Sequence, residues 1–428
     1  MENKTKKRHF EVPRGMRDFY PENVEVRNSI FSAWRQSALQ FGFIEYDGPI
    51  VESLDLLQSK SGDGIADQIY SFSDKSNRKI ALRPEMTPTL ARMIAAKQSA
   101  LTFPLKWFSI AQCFRYERMS RGRKREHYQW NLDIVGEPAL TAEVDVIACA
   151  LQALSHLGLG VSDVCVYYSS RALLSDLLLT SGIPKQLHLP TFRVLDKRAK
   201  LNESAIVQLL KDSELEERHI KAIFKLTQIR SLEEASDILG ETTPSLTTVQ
   251  NFASLLSTYG IADKMKFDIG IIRGLDYYTG IVFEAFDTER KFRAIFGGGR
   301  YDRLLEDVGA RAMTAVGLGF GDVVLMDFLS GKGVQLHYGY KTDYAVSYFE
   351  DAQQKIAIQI AQALRANGKS VDMALHSEKP KHFFARVGKG NINEAIFIGP
   401  DDIRSGIIRV KDLGKRVESE IQLSELLP

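Results

Sequence analysis

Between residues 107 and 136, apolar and polar side chains alternate with a period of two on either side of a basic turn, which predicts two strands folded back on each other. Phe108, Ile110, Gln112, Phe114 and Tyr116 share one side of the first arm, and Ser109, Ala111, Cys113, Arg115 and Glu117 share the other. In the returning arm Tyr128, Trp130, Leu132 and Ile134 form the bulky side, with Gln129, Asn131, Asp133 and Val135 opposite. Antiparallel pairing then gives one apolar face and one polar face, where Arg115, Glu117, Gln129 and Asp133 stand over small residues that leave room for a ligand. The turn holds Arg118, Arg121, Arg123, Lys124 and Arg125, a density of cations that suits contact with polyanions.

Helical periods flank this hairpin. Ile30, Trp34 and Ala38 recur every fourth residue ahead of Gly42, and FGFIEYDGPIVE then reads as a strand interrupted by Pro49. IYSFSDKSNRKIAL predicts two strands and a turn, followed by a helix begun near Pro84 and Pro88, with Glu85 and Thr87 at the junction. TAEVDVIACALQALSHLG predicts a scaffold helix with Thr141 at its N-cap and Gly158 at its end, and VCVYYSS a strand after it. From 173 to 260 the pattern is helical and rich in both charges, an expected insertion between two halves of a sheet. Strands return in KFDIGIIRGLDYYTGIVFEAFD and KFRAIFGGGRYDRLL, and VGLGFGDVVLMDFL predicts a strand running into a helix. Its alternating glycines lack the βαβ setting of a dinucleotide loop. Residues 331–339 read as a linker, and 340–428 as a small β-α-β-α-β domain with more Lys and Arg than Asp and Glu between 365 and 416.

A length of 428 residues suggests two or three domains, and 44% hydrophobic with 26% charged residues is the balance of a water-soluble chain. The net charge of +2 does not by itself announce nucleic acid, so an RNA surface has to come from local clusters. Cys113, Cys149 and Cys165 are widely spaced, with neither zinc spacing nor a disulfide framework. The first nine residues read as a flexible leader without an apolar segment, and no run approaches the length of a membrane span; a cytoplasmic protein without membrane contact is expected.

The run FRYE, the basic loop and QWNLDIVG resemble motif 2 of class II aminoacyl-tRNA synthetases, while RGLDYYTG (273–280) and GGGRYDRL (297–304) resemble the signature pair of the histidyl-tRNA synthetase family. The similarity runs from about Phe10 to the C-terminus. It implies an α/β fold with an antiparallel catalytic sheet flanked by helices (10–172 and 261–330), a helical insertion (173–260) near the tRNA acceptor arm, and an anticodon-binding α/β domain (340–428). The early helix, strand and late proline resemble motif 1 and imply a homodimer. The implied reaction joins L-histidine and ATP into histidyl-adenylate, then passes the histidyl group to the terminal ribose of tRNA(His). By the same resemblance Glu85, Thr87 and Gln129 receive the amino group, and Asp133, Tyr277 and Tyr278 surround the imidazole. Arg115 and Arg273 flank the α-phosphate, Glu117 and Arg123 join in holding ATP, and Arg118, Arg121, Arg123, Lys124 and Arg125 meet the tRNA. Mg²⁺ is expected with ATP, with its ligands unknown.

One position departs from the family. Motif 3 carries an arginine early in its helix, where this chain has Val324; Arg300, Arg303 and Arg311 are the open substitutes. A histidine-sensing regulatory paralogue fits Val324, but such proteins tend to lose the C-terminal domain and the signatures that stand here. A class II enzyme for another amino acid is opposed by RGLDYYTG with Gln129 and Asp133.

Overall fold

The segments of period two become strands. In chain order they are β1 (Ile44–Glu45), β2 (Val51–Ser53), β3 (Ser71–Ser73), β4 (Lys79–Leu82), β5 (Leu105–Phe114), β6 (Glu126–Val135), β7 (Val164–Ser170), β8 (Met265–Phe267), β9 (Ile281–Asp287), β10 (Phe296–Arg300) and β11 (Ala315–Gly321). The computed structural model describes residues 10–60, 68–160, 162–198, 201–272, 277–336 and 341–427; Arg273, the leader and part of the expected linker (337–339) lie outside them. Eight strands form one sheet in the order β1-β5-β6-β11-β10-β9-β7-β8, antiparallel from β5 to β7 with a parallel strand at each edge.

The apolar face of this sheet is closed by two helices, Pro21–Gln40 and Thr141–His156. Ile30, Trp34 and Ala38 are fully buried in one core with Phe108, Trp130, Leu132 and Phe320. Trp34 stacks on Trp130 at 5.7 Å and 16°, so the bulky face of the hairpin is welded to the first helix. The helix over 141–156 starts one residue earlier than its capping pattern suggests. Leu140 takes the N-cap position without a side-chain cap, and Thr141 is the first helical residue. FGFIEYDGPIVE does not stay one strand: Ile44–Glu45 joins the large sheet beside β5, and Val51–Ser53 pairs with β4 in a separate three-stranded sheet. Proline at 49 cannot donate to a ladder, which explains the break.

Between β7 and β8 the described residues include the helices Arg171–Thr180, His188–Leu195, Glu203–Asp212, Glu217–Leu226, Leu232–Leu239 and Pro244–Thr258. Ser170, Asn202, Ser231 and Thr243 each cap one of them by accepting the N–H three residues on.

The chain divides into two compact units, Met1–His337 and Tyr338–Pro428. The second holds β12 (Thr342–Tyr348), β13 (Val371–Met373), β14 (Ile392–Ile398), β15 (Ile407–Asp412) and β16 (Val417–Gln422) in the order β13-β12-β14-β15-β16. The first three are parallel, crossing over through helices Asp351–Ala366 and Pro380–Val387, and β15 and β16 add an antiparallel edge. β16 had no counterpart in the sequence pattern, because Val-Glu-Ser-Glu-Ile-Gln lies almost wholly exposed and shows no buried alternation.

Candidate active site

The hairpin register pairs like with like. Phe108 faces Leu132 and Ile110 faces Trp130 on the bulky side, while Ser109 faces Asn131 and Ala111 faces Gln129 on the polar side. The next strand continues the polar side with no side chains at all: Gly317, Gly319 and Gly321 lie opposite Asp133, Asn131 and Gln129, and Gly299 and Gly297 of β10 lie opposite Gly317 and Gly319. The alternating glycines are therefore the floor of a cleft and not a phosphate loop. A Cβ on Gly317 would collide with Asp133 Oδ1, and one on Gly319 would stand 2.9 Å from Gln129 Nε2. Only glycine lets those two polar side chains lie down over the sheet.

Asp133 is 2% exposed. Its Oδ1 accepts a 2.5 Å hydrogen bond from Tyr301, and its Oδ2 is buried without a hydrogen-bond partner among the described residues. Burial pushes its carboxyl up to about 7, against the bond from Tyr301, with the negative charge of Glu85 adding to the rise. A buried carboxylate oxygen left open in this way suits a ligand N–H. From Tyr301 the contacts continue to Tyr277, whose ring meets it edge-on at 5.7 Å, and the Tyr277 hydroxyl donates to Glu85 at 3.3 Å. Tyr278 packs on Tyr277 at 5.0 Å and lies close over Gly299. Glu85 and Thr87 are both buried at the entrance of the helix Thr87–Lys97. Their approach is fixed by Arg83, whose buried guanidinium donates to Gln112 O at 2.9 Å and to Gly48 O at 2.8 Å.

The other end of the polar face carries cations. Arg115 donates from Nε to Pro84 O at 2.9 Å, which places it beside the Glu85 segment. Glu117 pairs with Arg123 across the turn at 2.5 Å, and Arg125 covers the Tyr116 ring at 3.9 Å. Lys124 and Arg121 stand on the outside of the turn with Arg118. Burial is the first reason the Arg123 guanidinium titrates below its ordinary range; repulsion from Arg293 and Arg115 adds to it, and Glu117 opposes it. Below the hairpin, Arg17 bridges to Asp322 at 2.9 Å and Asp322 accepts from Tyr128 N at 2.9 Å, tying the N-terminal loop to the helix that bears Val324.

Of the residues expected at the site, Glu85, Asp133 and Tyr277 are linked in one chain of contacts, with Tyr278 packed beside it. Arg115, Glu117 and Arg123 cluster at the far end. Arg273 lies outside the described residues. Sequence reasoning missed Tyr301, although it sits inside the GGGRYDRL run, and it missed His127 on the polar side, opposite Cys113. Burial holds the His127 imidazole down at about 3, helped by Arg115, so it is neutral at physiological pH. Arg300 is not a free substitute at Val324: its guanidinium is held by both Glu143 oxygens at 2.6 Å and by the carbonyls of Glu137 and Ala139. Arg311 shares two backbone hydrogen bonds with the Gln98 amide. Among the described residues no group of three His, Cys, Asp or Glu side chains is placed to hold a metal ion, and no helix is long and apolar enough to cross a membrane.

Carboxylates and phenol rings at one end of a glycine-floored cleft suit a cationic or N–H-bearing small molecule, and the arginines at the other suit an anion. Comparison with known proteins gives the family. The family model described as histidyl-tRNA synthetase matches residues 15–321, and that of an anticodon binding domain matches 343–428. The chloroplastic/mitochondrial histidine–tRNA ligase of Arabidopsis thaliana is 38% identical over 421 residues, 98% of this chain and 87% of that one. The histidine–tRNA ligase of Opitutus terrae is 36% identical over 419 residues, 96% of each chain. Among solved structures, histidyl-tRNA synthetase from Nostoc sp. superposes with a TM-score of 0.79 at 22% identity, covering 98% of this chain and 99% of its own. A Bacillus halodurans structure described as an ATP phosphoribosyltransferase regulatory subunit/histidyl-tRNA synthetase gives 0.75 at 23%, covering 92% and 99%. These last two likenesses speak for the fold. With the family model spanning most of the chain and curated relatives above 30% identity along nearly all of it, this chain belongs to the histidyl-tRNA synthetase family.

Proposed function

We propose that this chain is a histidine–tRNA ligase, activating L-histidine with ATP and passing it to the 3′-terminal ribose of tRNA(His). The observation that carries the reading is Asp133: a buried carboxylate with one oxygen held by Tyr301 and the other open, above a floor of glycines. An imidazole N–H fills that opening, with Tyr277 and Tyr278 as walls. Glu85, Thr87 and Gln129 take the ammonium. The substrate carboxylate then points to Arg115, which meets the α-phosphate, and Arg273 takes the opposite side. Glu117 and Arg123 complete the hold on ATP.

The chemistry asks little of the side chains beyond position and charge. The histidine carboxylate attacks the α-phosphorus in line and pyrophosphate leaves, so no general base is required. Mg²⁺ enters as part of the nucleotide substrate, bound through phosphate oxygens. Rejection of an apolar analogue follows from Asp133, which would stay buried and unpaired beside it.

Transfer places tRNA(His) along the chain. Arg118 and Lys124, exposed on the basic turn, offer phosphate contacts. The helices between β7 and β8 reach toward the acceptor arm. In the C-terminal unit a cavity of about 340 Å³ is walled by Phe349, Phe384 and Phe397 with Arg409 and Lys411 at its rim, which suits splayed anticodon bases. Leu39, Ile44, Ile50 and Val51, close in sequence around β1, are large apolar side chains left exposed, which supports a homodimer. A cytoplasmic location fits its three free, buried cysteines.

The test is pyrophosphate exchange into ATP by the purified protein with each of the twenty amino acids, without tRNA. Exchange with histidine alone is expected. No exchange with any amino acid by a folded protein would overturn the reading in favour of a histidine-sensing paralogue.

A further inference from the structure

Val324 faces a cavity of about 280 Å³ whose wall also includes Arg121, Lys291, Arg293 and Asp327. Its charges are uneven. The Asp327 carboxylate is turned onto the backbone of the basic turn, accepting from Gly122 N at 3.0 Å, and Lys291 is drawn into an ion pair with Glu289. Arg121 lies over the Phe292 ring at 4.8 Å, and Arg293 donates to the Ser120 hydroxyl at 3.3 Å. Among the described residues neither arginine is paired with a carboxylate. Two guanidiniums thus share one hollow with neither paired to a carboxylate, and the one Asp327 charge in the wall, held by the Gly122 N–H, leaves the hollow net positive and suited to an anion.

The hollow is also the outward end of a row. Arg123 is near enough to feel both Arg115 and Arg293, so cations run from Arg115 on the polar face through Arg123 to Arg293. A line of cations that starts beside the Glu85 segment suits the phosphates of one bound nucleotide better than isolated contacts with an RNA backbone. Gly122 fixes where the outer end meets the helix after β11. A Cβ there would stand 3.3 Å from Arg293 Cδ and 3.3 Å from Val324 Cγ2, so these two side chains press on the same turn. Arg293 comes from the connection between β9 and β10, far in sequence from the helix that bears Val324.

We propose that Arg293, assisted by Arg121, grips the terminal phosphates of the nucleotide from across the cavity to which Val324 itself brings no charge. This inference rests on the adenylating reading above and names the residues that anchor the far end of its ATP. An arginine at 324 and the arginine at 293 are alternative ways to place one cation in one hollow.

The experiment compares Arg293→Ala, Arg121→Ala and the double variant Arg293→Ala/Val324→Arg with the parent protein. In histidine-dependent exchange, Arg293→Ala raises KM for ATP roughly tenfold or more, as expected when one charged hydrogen-bond donor is removed, while KM for histidine stays put. Arg121→Ala gives a smaller rise, and Val324→Arg restores much of the affinity. Calorimetry of MgATP and AMP binding, run without amino acid, reads the cavity independently of the reaction: MgATP weakens in Arg293→Ala and AMP does not. An unchanged KM for ATP, equal weakening of AMP, or an effect confined to KM for tRNA would each overturn the assignment, the last by giving the cavity to RNA. If the parent protein fails to exchange at all, the ligase reading falls, and the calorimetry still decides what the two arginines bind.

Discussion

Asp133→Asn should strengthen the fold while damaging the site. In the native state its carboxyl is moved from the ordinary 3.8 to about 7, chiefly by burial. A carboxyl whose folded pKa is raised holds its proton more tightly than the unfolded chain does, so stability falls as pH climbs from about 4 and stops falling above about 7. At 1.36 kcal/mol per unit, the penalty grows by roughly 3 kcal/mol between pH 5 and pH 8, and asparagine does not carry it. Trp34, Trp107 and Trp130 are the chain's three tryptophans and all lie in the first unit, so urea unfolding followed by their fluorescence reports that unit alone. The variant should be more stable than the parent by a margin that widens from pH 5 to pH 8. Its KM for histidine should rise by about 10- to 150-fold, the worth of a hydrogen bond to a charged group. A margin that is flat or narrows with pH would refute the placement of this carboxylate in a dry cleft.

Gly317→Ala forces a Cβ onto Asp133 Oδ1 and 2.8 Å from Leu132 O; kcat/KM for histidine should drop on the order of 100-fold, and a normal value would show that the floor is not the substrate platform. Glu143→Ala strips the Arg300 guanidinium of its carboxylate beneath the surface; a destabilisation of about 3–5 kcal/mol in the fluorescence transition is expected, and one under about 1 kcal/mol would mean water reaches it. Replacing Arg118 and Lys124 by alanine should lower the log–log salt slope of tRNA binding by roughly 0.7–0.9 for each phosphate no longer neutralised, whereas an unchanged slope would leave the loop without a role on RNA. Arg273→Ala should abolish pyrophosphate exchange with the fluorescence transition intact, and near-normal exchange would remove it from the α-phosphate.

What could be read from the chain beforehand was whatever repeats locally. The hairpin announces itself because its two arms keep a period of two for ten residues each, and the observed register follows from matching bulky to bulky. Ile30, Trp34 and Ala38 point into the core because a period of four leaves them no other place. The edge strand Val417–Gln422 escaped for the complementary reason: almost nothing on it is buried, so pairing with β15 is the whole cause of its shape. Thr141 misled by one residue because the cap position went to Leu140, which no capping preference favours.

The site itself depends on pairs that no local pattern links. Tyr301 reaches Asp133 across 168 residues of sequence and Arg300 reaches Glu143 across 157, so neither partner can be named until strands β6, β11 and β10 are laid side by side. Once they are, one signal in the sequence gains its meaning. Glycines at 317, 319 and 321 are spaced by two, which is the period of a strand face; a loop cradling phosphate has no reason to keep it. Their spacing matches Asp133, Asn131 and Gln129 one for one, because opposed residues of antiparallel strands share a face. The polar residues supply the contacts and the glycines supply the volume, and a side chain at Gly317 would remove both together.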